Sequence, residues 1–101
     1  MDTNSGQSTM ENSSLYSVSI EEDEEHYYGT IEILEQGIKI YSEDMNYGDF
    51  YYFEYQDITL TKLYGENSFK LKIETDHKEL IVNGLFSDFF QQLKEYTQIQ
   101  E

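Results

Sequence analysis

Alternation of hydrophobic and polar residues is the main pattern of this chain. It is clearest over residues 68–74, where Phe69, Leu71 and Ile73 alternate with polar side chains. A period of two is typical of a β-strand with one buried face. The same criterion predicts further strands over residues 15–20, 28–34, 38–41, 50–55, 57–63 and 79–82. The connections between them are short, whereas parallel pairs need long crossovers, so we predict an antiparallel meander.

The first of these segments has two interpretations. Tyr16, Val18 and Ile20 alternate with serines, which predicts a seventh strand of the same domain. Alternatively, the segment is a short peptide that adds to the sheet of another protein. We favour the first interpretation because the domain otherwise lacks a strand.

The period changes from 2 to 3.6 after Asn83-Gly84, which indicates one amphipathic C-terminal helix. Ser87 or Asp88 is placed to cap its first turn. A helix of about 12 residues is marginal alone in water, so its apolar stripe is expected to close an open end of a barrel. The stripe consists of Phe86, Phe89, Phe90, Leu93, Tyr96 and Thr97.

The first 25 residues contain two segments without a strand or helix pattern. Residues 1–14 are mostly Ser, Thr, Asn and Gln, with too little apolar surface to offset the ordering cost, so we predict a disordered tail. Residues 21–25 form an unbroken acidic run, which predicts a solvated loop because like charges repel. One domain over residues 15–101, including this acidic loop, accounts for the rest of the chain.

Charge narrows the set of partners. The 101 residues contain 21 Asp and Glu against 6 Lys, so the formal net charge is −15. This surplus repels phosphate groups, and we expect no direct binding to nucleic acid or to phosphoinositides. No apolar run is long enough to cross a membrane, no secretory signal is present, and the chain has no Cys. We therefore expect a cytoplasmic protein, or a nuclear one in a eukaryote.

The sequence offers no pattern of enzymatic or metal chemistry. It has no glycine-rich phosphate loop, no nucleophile elbow and no Ser/His/Asp order. Its two histidines are separated by several predicted strands, which does not suggest a metal site. We expect neither a catalytic activity nor a cofactor.

Three segments resemble the pleckstrin-homology-like (PH-like) superfold. Residues 29–40 (GTIEILEQGIKI) resemble the opening hairpin of its GRAM-type and histone-chaperone members, residues 53–58 (FEYQDI) resemble the step into the fourth strand, and residues 86–93 (FSDFFQQL) resemble the start of the closing helix. The resemblance covers about residues 16–99. It implies a mainly β fold: a partly open antiparallel barrel of six or seven strands, capped by a C-terminal helix.

The resemblance also implies how the domain acts. Members that bind phosphoinositides cluster Lys and Arg in the first hairpin loop, where this chain has Glu35-Gln36-Gly37. The remaining use in the family is protein recognition, and some members engage basic proteins. The acidic composition of this chain fits that use.

We identify two groups of candidate partner-binding residues. The acidic run supplies long-range attraction for a basic surface, although a run of this kind can also serve solubility alone. Tyrosines of the aromatic strand supply contact area, although they can instead fill the core. Because residues 50–53 are aromatic at every position, at least two should lie outside. The candidates are Glu21, Glu22, Asp23, Glu24, Glu25, Tyr51, Tyr52 and Tyr55.

Two functions of different classes fit this picture. The first is a non-enzymatic interaction module, adaptor or chaperone-like, that binds a basic protein surface. The second is an inhibitor that imitates DNA and occupies the groove of a DNA-binding protein or nuclease, of a kind that phages encode. A third possibility is a structural subunit in which the acidic run is incidental.

Overall fold

The computed structural model describes residues 15–43 and 50–101. The predicted tail over residues 1–14 and most of the polar connection before residue 50 lie outside the described residues. The structure contains a single turn of 3-10 helix, Tyr55–Asp57, among the described residues. The elements are β1 (Leu15–Glu22), β2 (Glu25–Ile33), β3 (Gly37–Ser42), β4 (Tyr51–Glu54), β5 (Thr59–Tyr64), β6 (Phe69–Glu74), β7 (Glu79–Leu85) and α1 (Ser87–Leu93).

All seven strands belong to one antiparallel sheet in the order β4-β3-β2-β1-β7-β6-β5. β1 is central because it pairs with β2 along its whole length and with β7 through Ser19–Glu22. The sheet curls into a half-barrel, and α1 follows the last strand. The predicted mainly β fold with one C-terminal helix is confirmed. The first predicted strand is an internal strand of the sheet, as favoured above.

The core lies on the concave face of the sheet. Alternate residues of each strand point inward, so the period of two in the sequence becomes one continuous apolar layer. Phe89, Phe90 and Leu93 of α1 are fully or almost fully buried against it. No polar or charged residue of the described ranges is buried. The helix therefore packs on the sheet because this is where its apolar side chains leave water.

The helix is shorter than predicted. It spans seven residues, begins after Phe86, and has no side-chain cap from Ser87 or Asp88. Phe86 and Tyr96 are 59% and 42% exposed, so they do not belong to the buried stripe. The chain leaves the helix because its last residues pair elsewhere: the N–H of Gln100 donates to the carbonyl of Leu60 at 2.8 Å.

Two segments outside the predicted strands belong to strands of the sheet. The acidic run is not a loop, because Glu22 and Glu25 are paired and only Asp23-Glu24 forms the turn, with Asp23 at φ 56°. Gly84 lies beyond the predicted strand over residues 79–82 but is inside β7 at φ 85°, where the register against β6 shifts. Glycine adopts this conformation readily, and the extra residue makes a β-bulge.

Candidate functional site

The candidate residues of the acidic run lie at one end of the half-barrel. Glu22 pairs with Glu25 across the β1–β2 turn and with Leu80 of β7, so this turn lies beside the β6–β7 turn at residues 75–78. We call residues 21–25 and 75–78 the hairpin end. The helix lies toward the opposite end, where the Tyr16 hydroxyl donates to Gln92 at 2.7 Å. The acidic run and the helix therefore lie toward opposite ends of the half-barrel.

One member of the acidic run, Glu22, is engaged inside the molecule. Its carboxylate accepts hydrogen bonds from the hydroxyls of Tyr27 at 2.8 Å and Tyr51 at 3.0 Å, and from Lys78 Nζ at 2.6 Å. Its side chain is only 13% exposed. The ring of Tyr51 also lies 4.9 Å from Lys78 Nζ. Glu22 thus joins β1, β2, β4 and the β6–β7 turn, and it is not free to meet a partner.

The protonation of this cluster follows from its contacts. Burial by itself raises the pKa of Glu22, but hydrogen bonds from Lys78, Tyr27 and Tyr51 outweigh burial, and the pKa is lowered. The bond to Glu22 raises the pKa of Lys78. Burial and the same carboxylate raise the pKa of both tyrosines. The cluster is therefore a charged anchor at neutral pH, with no group poised to exchange a proton.

The other four members of the run face solvent. Glu21, Asp23, Glu24 and Glu25 are all exposed. Glu21 accepts a hydrogen bond from Asn83 Nδ2 at 3.0 Å, and no ion pair with a lysine is formed by any of the four within the described part of the chain. Surface carboxylates without a cationic partner make the surrounding electrostatic potential negative, so the potential around the hairpin end is negative.

Apart from Lys78, which binds Glu22 at the hairpin end, four of the lysines have contacts elsewhere. Lys72 pairs with Glu74 and Glu79 on the sheet. Lys94 pairs with Glu101 after the helix. Two further lysines cover aromatic rings, with Lys39 Nζ 4.4 Å from the centroid of Phe50 and Lys62 Nζ 4.2 Å from that of Phe69.

The three candidate tyrosines have different environments. Tyr51 belongs to the Glu22 cluster, and Tyr55 donates its hydroxyl to the carbonyl of Leu34 at 2.6 Å while its ring stacks on Tyr96. Tyr52 is 42% exposed and Phe50 is 44% exposed. The prediction that at least two of residues 50–53 lie outside is confirmed. Of the three tyrosines, Tyr52 is the most exposed and the one available as a contact surface, because the hydroxyls of the other two are used in internal bonds.

A groove next to the hairpin end was not predicted from the sequence. It has a volume of about 680 Å³ and lies between β4, the 3-10 turn and the β6–β7 turn. Its walls carry three carboxylates, Glu54, Asp57 and Asp76, and include Tyr52. No ion pair involves these carboxylates among the described residues. Only the fold brings these separated segments together, so the sequence held no local signal for the groove.

The described residues contain no candidate metal site and no helix that could cross a membrane. Within residues 15–43 and 50–101, no three His, Cys, Asp or Glu side chains are grouped in a way that could hold a metal ion. The described helix is too short and too polar to cross a membrane. No protein-family model matches the sequence, and no curated protein is significantly similar to it.

Proposed function

We propose that this protein is a non-enzymatic interaction module that binds a basic surface of another protein. The observation that carries the proposal is the hairpin end, where four exposed carboxylates on one tight turn and the adjoining strand ends have no lysine partners among the described residues. A paired hairpin holds these charges close together at fixed positions. Such a cluster attracts a complementary basic surface and repels phosphate backbones.

The contact area adjoins the charge. Tyr52 lies on the groove beside the hairpin end, and its exposed ring offers apolar and hydrogen-bonding surface in one side chain. Charge would mainly increase the association rate, whereas the tyrosine would slow dissociation.

The order of elements supports a PH-like domain as the scaffold. Seven antiparallel strands followed by one closing helix agree with what that resemblance implies. A PH-like domain with an acidic hairpin would use the family's protein-recognition mode. A chain without cysteine suits the reducing cytoplasm or nucleus, where we place its action.

The test is binding of purified core histones, as a basic protein probe, to two variants of equal charge. In the first, Glu21, Asp23, Glu24 and Glu25 become Gln or Asn. In the second, four exposed carboxylates away from the hairpin end are changed in the same way: Glu35, Glu66, Asp88 and Glu95.

Both variants lose four negative charges, so total charge is matched. We expect the hairpin variant to lower the association rate about tenfold at low salt and the control much less. The difference should shrink in about 0.5 M salt, where charges are screened. An equal loss in the two variants would show that net charge acts without a site, and would contradict the proposal.

A specific observation also favours the second candidate, a DNA-mimicking inhibitor. A mimic needs fixed charges, and the acidic run consists of a two-residue turn and the paired strand ends on either side of it. Inhibition of a nuclease that is competitive with DNA, and that is lost in the hairpin variant but not in its control, would favour this function over histone binding.

A further inference from the structure

β4 is an edge strand. It ends the sheet order, and its strand neighbour among the described residues is β3. Antiparallel strands alternate between residue pairs that exchange backbone hydrogen bonds and pairs that do not. In an edge strand, the residues of the second kind direct their N–H and C=O groups away from the sheet.

The hydrogen bonds around β3 show which residues these are. The N–H of Tyr55 donates to the carbonyl of Gln36 at 3.1 Å, so this pair is of the bonded kind. Bonded and non-bonded pairs alternate along the β3–β4 register, so the next bonded pair is Phe53 with Ile38. Tyr52 and Glu54 belong to the non-bonded pairs on either side of it. The backbone groups of Tyr52 and Glu54 therefore point away from β3.

The two outward-facing residues line the groove. Tyr52 and Glu54 form part of one wall, and Asp76 lies on the β6–β7 turn opposite. β3 contributes no residue to the groove, so the groove lies on the unpaired side of β4. Within the described residues, backbone groups of β4 without a partner thus face a space with carboxylates on both sides.

Two lysines next to this space have other contacts. Lys39 is opposite Tyr52 in the β3–β4 register, and its Nζ lies 4.4 Å from the centroid of the Phe50 ring. Lys78 directly follows the groove residue His77, but its ammonium binds Glu22. Glu54 accepts a hydrogen bond from Gln56 Nε2 at 3.1 Å, which leaves its charge in place. The groove therefore favours cations.

We infer that the edge of β4 binds an extended segment of a partner protein that carries lysine or arginine at alternate positions. The segment adds as a strand beside β4 by hydrogen bonding to Tyr52 and Glu54, and its basic side chains lie between the carboxylates of the groove. Alternate side chains of a strand are about 6.6 Å apart, which spaces successive cations along the groove. This inference rests on the proposed function and names the part of the partner that is bound.

Electrostatics also favours a basic segment of another protein over two other possible occupants of the groove. A second copy of the chain would bring a net charge of −15 to an acidic groove. Residues 1–14 contain two acidic residues and no lysine, so they offer no complementary charge either. A basic segment of a different protein is the occupant that the electrostatics favour.

The first experiment uses amide hydrogen exchange in the full chain. The probe is a blocked seven-residue peptide of alternating Lys and Thr, and its control replaces each Lys by Glu. In the free protein the amides of Tyr52 and Glu54 should exchange quickly, unlike those of Tyr51 and Phe53. We expect the Lys peptide to slow exchange at Tyr52 and Glu54 about tenfold or more, and the Glu peptide to have no effect.

The second experiment uses a pair of variants at residue 54. Glu54 has φ −77° and ψ 144°, which proline can adopt, and its N–H does not pair with β3. Glu54→Ala removes the carboxylate only, whereas Glu54→Pro also removes the outward N–H. We expect Glu54→Pro to bind the Lys peptide at least about tenfold more weakly than Glu54→Ala. Retained amide protection at Phe53 controls for folding.

The outcomes separate this inference from the proposed function. Peptide-induced changes confined to residues 21–25 would overturn the inference and leave the hairpin end as the binding site. Equal binding by the two residue-54 variants would also overturn strand addition. Concentration-dependent protection of Tyr52 in the protein alone would identify a second copy as the occupant. Failure of the Lys peptide and of histones to bind anywhere would overturn both proposals.

Discussion

The two edge strands of the sheet, β5 and β4, differ in what their outward backbone groups face. At the β5 edge, the residues after the helix form a bridge: Lys62 donates its N–H to the carbonyl of Gln100 at 2.7 Å, and Gln100 donates to Leu60 at 2.8 Å. At the β4 edge, the outward groups of Tyr52 and Glu54 face the acidic groove. Unprotected edges invite pairing with other chains, and proteins cover or charge them.

This difference assigns separate roles to the two edges. The β5 edge is satisfied internally, and Ile99 packs against the core beside it. The β4 edge is short, and the carboxylates along it repel copies of the same acidic chain while attracting cations. The negative charge along β4 therefore favours pairing with basic chains and disfavours pairing with acidic ones.

The largest expected effect concerns the helix that leads the chain to the β5 edge. Phe89 is fully buried and contacts both Tyr16 and Phe90 edge-to-face. We expect Phe89→Ala to lower the free energy of unfolding by about 3–5 kcal/mol, because it leaves a cavity in the core. Urea denaturation followed by circular dichroism measures the change.

A matched control tests whether burial is the reason. Phe86 precedes the same helix but is 59% exposed. Phe86→Ala should change the free energy of unfolding by less than about 0.5 kcal/mol. Similar losses for the two variants would mean that the helix end packs differently from the description above.

The next effect concerns Glu22, which attaches β4 through Tyr51. Glu22→Gln removes the charge that Lys78 and both tyrosine hydroxyls bind. We expect a loss of about 1–2 kcal/mol in the free energy of unfolding and faster amide exchange in β4. Glu24→Gln in the same acidic run is the control, with an expected change below about 0.5 kcal/mol.

The pH dependence of this effect has a definite sign. The pKa of Glu22 is lower in the folded state than its ordinary value of 4.5. Its contribution is therefore complete above pH 4.5 and is lost as pH falls through the lower folded pKa. The stability difference between the wild type and Glu22→Gln should shrink over that acidic range. A difference that grows on acidification would contradict the cluster.

A smaller effect is expected where Gln100 covers β5. Gln100→Pro removes the N–H that donates to Leu60, whereas Gln100→Ala keeps it. We expect the proline variant to lose about 1 kcal/mol relative to the alanine variant, the typical value of one hydrogen bond. The Lys62 amide should then exchange faster. Unchanged exchange at Lys62 in the proline variant would show that the bridge does not cover this edge.

The strands could be predicted because the alternation of buried and exposed residues is visible within the sequence of each strand. Alternation predicted β6 to within one residue of its observed bounds, and the switch to a period of 3.6 located the helix. The acidic run was misinterpreted as a loop because repulsion within it was visible, while the lysine that binds Glu22 lies 56 residues away. The groove depends on three segments that only the folded sheet brings together. Long-range pairing, which periodicity does not report, decided both features.

The smallest expected effect tests the direction of the backbone groups along β4. If the N–H of Glu54 points into the groove, Glu54→Pro breaks no bond of the sheet, and the existing φ of −77° suits proline. The free energy of unfolding should then stay within about 0.5 kcal/mol of the value for Glu54→Ala.

The neighbouring residue supplies the contrast for that test. The N–H of Phe53 belongs to a bonded pair with Ile38, and its ring packs against the core. Phe53→Pro should therefore cost at least about 2 kcal/mol in urea denaturation. A large loss at residue 54 with tolerance at residue 53 would reverse the alternation, so that Tyr51 and Phe53 would face the groove instead. The β4 edge could then no longer bind a partner strand through Tyr52 and Glu54, whatever its charge.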